Sequence, residues 1–133
     1  MTNWQNVGAH SNSTISYDPE KDWIYVKWSG HIDSEDVITT AGKYLEFLKG
    51  HKTPRLLNDK SEVTGDWEDA NDWLEYEWLP QALEGGLRFL SMVISRDLHD
   101  LAPSQDLQRR LAPACEMQLF RDLPSARQWL ASV

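Results

Sequence analysis

The sequence predicts an α/β domain: an N-terminal β-hairpin followed by β-α units that build a mixed, largely parallel sheet of five strands with about four helices. Three observations carry this. The stretch Pro54–Ser95 reads as strand, crossover helix and parallel strand: Arg55–Asp59, a tryptophan-rich helix from about Asp66, Gly85-Gly86, and the apolar run Leu87–Ile94. The segments on either side repeat that alternation. A length of 133 residues is that of one domain, able to bury a core without a disulfide or metal. Residues 1–133 are therefore expected to form a single domain, with 1–13 as a loose arm pinned by Trp4.

Thr14–Tyr17 is the first expected strand. Asp18-Pro19-Glu20-Lys21-Asp22 is turn chemistry, because Pro19 presets φ and Asp18 can close the turn. Trp23–Trp28 is β-branched and aromatic and forms the second strand of an antiparallel hairpin. Asp33 or Ser34 then caps a helix. Val37, Ala41, Tyr44, Leu45 and Leu48 form its buried stripe, and Gly50 suits the left-handed position after its end.

The strand Arg55–Asp59 is followed by a polar loop, Lys60–Gly65. Asp66 caps the next helix, whose stripe is Trp67, Ala70, Leu74 and Trp78. Pro80 interrupts or restarts it. Leu87–Ile94 is apolar at almost every position, as a buried parallel strand is. Leu98 and Leu101 sit in a helical turn ended by Pro103, and Ser104 caps a new helix carrying Leu107 and Leu111. Met117–Phe120 is the last strand. Asp122 caps a final helix with Pro124 in its first turn and Ala126, Trp129 and Leu130 inward.

Composition narrows the function classes. The net charge of −8 disfavours nucleic acid and anionic lipid surfaces. The single cysteine, Cys115, allows no internal disulfide, and no Cys/His zinc spacing exists. No apolar run approaches the ~20 residues of a membrane span, and the polar Met-Thr-Asn-Trp-Gln-Asn start lacks an apolar signal core; both favour the cytoplasm. Seven tryptophans are expected mainly to fill the core.

Four local patterns, in this order, resemble the STAS-like (SpoIIAA-like) family. More closely, they resemble its small stand-alone bacterial members, called STAS/CRAL-TRIO-like. The patterns are Ile24-Tyr25-Val26-Lys27-Trp28-Ser29-Gly30, Glu77-Trp78-Leu79-Pro80, Gly85-Gly86-Leu87, and Phe120-Arg121-Asp122 leading to Ala126 and Trp129-Leu130. The resemblance covers roughly residues 14 to 131. It implies the SpoIIAA-like fold and no enzyme activity. Family members that antagonise anti-sigma factors bind a kinase and are phosphorylated on a serine that follows an aspartate at the start of the helix after the third strand. The matching place is Gly65-Asp66-Trp67, where tryptophan stands instead, so the phosphoswitch is not carried over.

The candidate ligand- or partner-binding residues are Asp59, Ser61, Thr64, Asp66 and Trp67. Asp59 stands at the carboxyl end of a parallel strand, where ligands of open α/β sheets bind, and the amides opening the next helix lie nearby. The plainer alternative is that Asp59 and Ser61 close a turn. An acidic run from Asp59 to Glu77 reads either as a solvated helix face or as a docking surface for a basic partner. His10, His31, His51 and His99 show no metal spacing. No G-x-S-x-G, P-loop or dinucleotide fingerprint is present, and no cofactor or metal is expected.

Both faces of the predicted strands are apolar. Phe89, Ser91 and Val93 oppose Leu90, Met92 and Ile94; Ile24, Val26 and Trp28 oppose Trp23 and Tyr25. With all helices on one face, the other needs a cover: the segment Leu98–Leu111, the Trp4 arm, a second subunit or an apolar ligand. Self-coverage ranks first and a homodimer second. The expected function is a non-catalytic protein-interaction or regulatory module with an unidentified protein partner, without nucleic acid or membrane insertion. The runner-up is a carrier or sensor of a small apolar or anionic ligand.

Overall fold

The computed structural model describes residues 3–133. Among them, six strands form one sheet in sequence order: β1 (Asn3–Val7), β2 (Ser11–Asp18), β3 (Trp23–His31), β4 (Arg55–Thr64), β5 (Phe89–Val93) and β6 (Glu116–Phe120). β1, β2 and β3 are antiparallel; β3 to β6 run parallel. The helices are α1 (Ser34–His51), α2 (residues 68–84), α3 (Leu98–Leu111) and α4 (Leu123–Ala131). The expected SpoIIAA-like α/β architecture is present, with one strand more than the sequence reading.

The extra strand corrects the loose arm. Asn3–Val7 pairs with Asn12–Ser16, and Trp4 packs on the main core; Met1 and Thr2 lie outside the described residues. The arm lacks an internal apolar pattern because it is an edge strand, held by backbone pairing.

Within α1 the predicted stripe is buried throughout, and Asp33 and Asp36 form a reciprocal capping box. The helix runs past Gly50; Lys52, not Gly50, adopts the left-handed conformation, at φ 53°. α2 is continuous but changes pitch, from a 3₁₀ turn (Glu68–Ala70) through one α turn and a π turn (Leu74–Trp78) to Leu79–Glu84. The π turn ends two residues before Pro80, which has no N–H to give an α-helical ladder. Gly86, at φ 107°, ends the segment. α3 also corrects the reading, since it passes through Pro103 unbroken. Asp97 caps its start, and the turns beyond Pro103 bury Leu107 and Leu111, offsetting one lost donor.

The helices are not all on one face. α1, α2 and α3 cover a large core that takes Ile24, Val26, Trp28, Leu56, Leu90 and Met92 from the sheet. α4 covers the other face, burying Ala126 and Leu130 against Trp23, Leu57 and Val93. Ser91 donates to the Ala126 carbonyl at 3.0 Å across that seam. The aromatic second face is thus self-covered by a segment absent from the four expected covers. Leu98–Leu111 packs on the main core instead. All seven tryptophans pack against one of the two cores.

Candidate functional site

β4 distributes the candidate residues. It does not stop at Asp59, as read from sequence, but continues to Thr64. Leu56, Asn58 and Lys60 alternate toward the main core, while Leu57 and Asp59 face the α4 side. Between the pairs Lys27–Asp59 and Ser29–Glu62 the register slips, so Lys60 and Ser61 together oppose Trp28. Beyond this bulge the phase reverses: Val63 is buried and Glu62 exposed. The five predicted residues therefore do not form one pocket. Trp67 lies inside the main core, Asp59 and Ser61 belong to the opposite side, and Thr64 and Asp66 stand on the exposed rim.

In the core, Lys60 is 1 % exposed and lies between two indoles. Its Nζ is 3.4 Å from the centre of the Trp67 ring and 4.9 Å from that of Trp28. Burial pushes its pKa down to about 8, with the Asp100 carboxylate acting in the opposite sense; the electron-rich indole faces likewise favour the ammonium. Asp100, fully buried in the first turn of α3, accepts from Trp67 Nε1 at 2.8 Å and from the Ser95 amide at 2.9 Å. Trp28 Nε1 donates to Asn58 Oδ1. Gly65 makes the turn into this cluster at φ 105°, where an added Cβ would lie 2.1 Å from the Ile32 carbonyl oxygen. Its amide donates to Asp97 Oδ2 at 2.9 Å.

Sequence reading missed Lys60 and Asp100. The signal for Lys60 was the alternation Leu56, Asn58, Lys60, concealed because five polar residues follow Leu57. Trp67, which stands directly after Asp66 in the expected site, is a buried indole.

On the opposite side, Asp59 is 2 % exposed. Tyr25 Oη and Lys27 Nζ each donate to its Oδ2 at 3.3 Å, and the Ser61 amide donates to Oδ1 at 3.0 Å. The hydrogen bonds from Ser61 and the Lys27 charge outweigh burial and hold its carboxyl below the usual range. Burial and Asp59 raise the Tyr25 phenol. Lys27 also pairs with Glu62 and donates to Ser61 Oγ at 3.4 Å. Asp59 and Ser61 meet at the β4 bulge, where Lys27 of the neighbouring strand contacts both.

Tyr25 connects this cluster to an open groove of about 600 Å³ between β2, β3 and α4. Lys21, Trp23 and Tyr25 line it from the β2–β3 segment, and Pro124, Arg127 and Gln128 from α4. The Arg127 guanidinium lies 5.8 Å from the Tyr25 ring centre. Trp23 and Tyr25 were expected on this sheet face; Lys21 and Arg127 were not, because their convergence depends on where α4 docks.

Elsewhere, Thr64 Oγ1 is 3.0 Å from His31 Nδ1, and Asp66 accepts from the Glu68 amide at 2.9 Å. The acidic face of α2 is partly neutralised, since Arg110 contacts Asp72, Glu75 and Asp106 at 2.7, 3.1 and 2.8 Å. Cys115 is buried and its thiol is pushed up to about 12. Among the described residues, no group of three His, Cys, Asp or Glu is placed to hold a metal, and no helix is long and apolar enough to cross a membrane.

A hairpin feeding a parallel β-α series, with three helices on one face and the last on the other, defines a STAS-like α/β domain. The chain belongs to the SpoIIAA-like family, whose model matches residues 23–131. Among solved structures it is similar to an uncharacterized protein of the DUF3478 family with a SpoIIAA-like fold from Shewanella loihica PV-4. The identity is 19 % and the TM-score 0.57, covering 94 % of this chain and 98 % of that one. Comparison with curated proteins gives no match.

Proposed function

We propose that this chain is a non-catalytic regulatory module of the cytoplasm that acts by binding a protein partner. The supporting observation is the use made of its aromatic residues. Trp28, Trp67 and Trp78 are almost fully buried, and each indole N–H has an internal acceptor: Asn58, Asp100 and the Ala41 carbonyl. The tryptophans thus build the domain, and helices cover both sheet faces. What the domain presents outward is an open groove and a charged helical surface, which suit a macromolecular partner.

A second reading, a carrier or sensor of a small anionic ligand, draws on the size of the groove, which falls within the range of small-molecule sites. Native mass spectrometry of freshly purified protein tests both. The expected species are the bare chain, its homodimer or a complex with another polypeptide. A non-polypeptide mass retained under native conditions and lost on denaturation would overturn the first reading in favour of the second.

A further inference from the structure

Resting on the partner-binding reading, we infer that the groove between β2, β3 and α4 is the docking site, and that its occupant is an acidic peptide segment carrying an apolar or aromatic side chain. Charge complementarity selects that occupant. In a chain of net charge −8, Lys21 and Arg127 flank the groove, and neither has a carboxylate within 4.0 Å among the described residues. Of the eleven other cations, Lys27, Lys43, Arg109 and Arg110 pair with carboxylates, Lys49, Arg55 and Arg88 donate to neutral oxygens, and Lys60 is buried between indoles; Lys52, Arg96 and Arg121 lie outside the groove. The one acid lining the groove, Asp18, is turned to the local chain, where its Oδ1 accepts from the Glu20 and Lys21 amides at 3.0 and 3.2 Å.

The aromatic lining explains the second requirement. Trp23 packs with Ala126 and Leu130 of α4 and is only 4 % exposed, so it holds the groove rigid while Tyr25 supplies the accessible apolar area. Tyr25 is half-buried, with its hydroxyl on Asp59 and its ring facing Arg127. An extended segment crossing the groove would rest an apolar side chain on Tyr25 and Pro124 and direct carboxylates to Lys21 and Arg127. Arg127 can engage a carboxylate with two parallel N–H donors, which Lys21 cannot.

The test uses the whole chain and a display library of random decapeptides. Panning is expected to enrich sequences with two or more acidic residues beside an aromatic or aliphatic one. The synthetic consensus peptide should shift the amide resonances of Lys21, Trp23, Tyr25 and Arg127. Arg127→Glu, an exposed position whose folding is checked by its own amide spectrum, should weaken binding roughly tenfold or more, as should Lys21→Glu. A basic or neutral consensus, shifts mapping to another surface, or undiminished binding by both variants overturns the groove assignment and leaves the interaction module standing. Absence of any enriched peptide counts against both. Groove shifts with inorganic phosphate or benzoate, and none with peptides, overturn this proposal in favour of the small-ligand reading.

Discussion

The ammonium of Lys60 lies 3.4 Å from the centre of the Trp67 indole, with Trp28 on its other flank, in a site closed to solvent. A lysine here is expensive to charge, and the aromatic faces recover part of that cost. The arrangement ties β4 to the junction before α2, at the carboxyl end of the parallel strands.

The pH dependence of stability should report this lysine. Its folded pKa, about 8, lies below the ordinary 10.5, so between these values the unfolded chain binds more protons than the folded one. Stability contributed at Lys60 must therefore rise as pH increases from about 8 to 10.5. Denaturant unfolding of wild type and Lys60→Met at pH 7, 8, 9 and 10 should show the wild type gaining on the variant by up to about 3 kcal/mol, at about 1.4 kcal/mol per pKa unit. A constant difference would show that the buried lysine does not titrate in this window.

Trp67 is a structural residue: it is fully buried and its indole N–H donates to Asp100. Trp67→Ser should destabilise the domain by about 3–5 kcal/mol through the cavity left. Trp67→Phe keeps most of the volume but removes the donor to Asp100, and should cost about 1–3 kcal/mol. Thermal unfolding by circular dichroism gives both values. Serine tolerated within about 1 kcal/mol would contradict the packing role.

Two glycines should respond in opposite directions to alanine. Gly65 has φ 105° and a Cβ position 2.1 Å from the Ile32 carbonyl, so Gly65→Ala should destabilise by more than about 2 kcal/mol. Gly42 lies inside α1 with no atom within 4 Å of an added Cβ, so Gly42→Ala should stabilise by about 0.5–1 kcal/mol. Urea midpoints decide; changes of the same sign in both variants would refute the assignment.

Tyr25 and Asp59 should titrate as linked groups. Asp59→Asn removes the carboxylate that, after burial, does most to raise the phenol, so the Tyr25 pKa should fall. Ultraviolet titration of phenolate formation, compared with Tyr25→Phe to isolate the signal, measures the shift. An unchanged Tyr25 midpoint would show that the 3.3 Å contact is not maintained in solution.

The elements after the first strand were legible in sequence because each carries its own local chemistry. Val37 to Leu48 keep helical spacing, Asp122 accepts from the Ser125 amide at the start of α4, and Leu87–Ile94 is apolar at almost every position. Ile24, Val26 and Trp28 were separable from Trp23 and Tyr25 by strand alternation alone. Asp59 and Ser61 were legible as neighbours because they lie two residues apart, although a strand bulge, not a loop turn, brings them together.

Other features depended on partners distant in sequence. β1 is a strand because β2 pairs with it, and α3 crosses Pro103 because Leu107 and Leu111 find the core. Lys60 reads as a loop residue until a bulge opposite Trp28 turns it inward, and Asp100 approaches it only when α3 docks. Lys21 and Arg127 stand 106 positions apart in the chain and flank one groove because α4 lies on the face that the other helices leave free. Local sequence determined the elements and which of their faces are apolar. Long-range packing alone decided which face each helix covers, and hence which charges are buried and which converge, because burial and pairing energies are set by neighbours that no local pattern encodes.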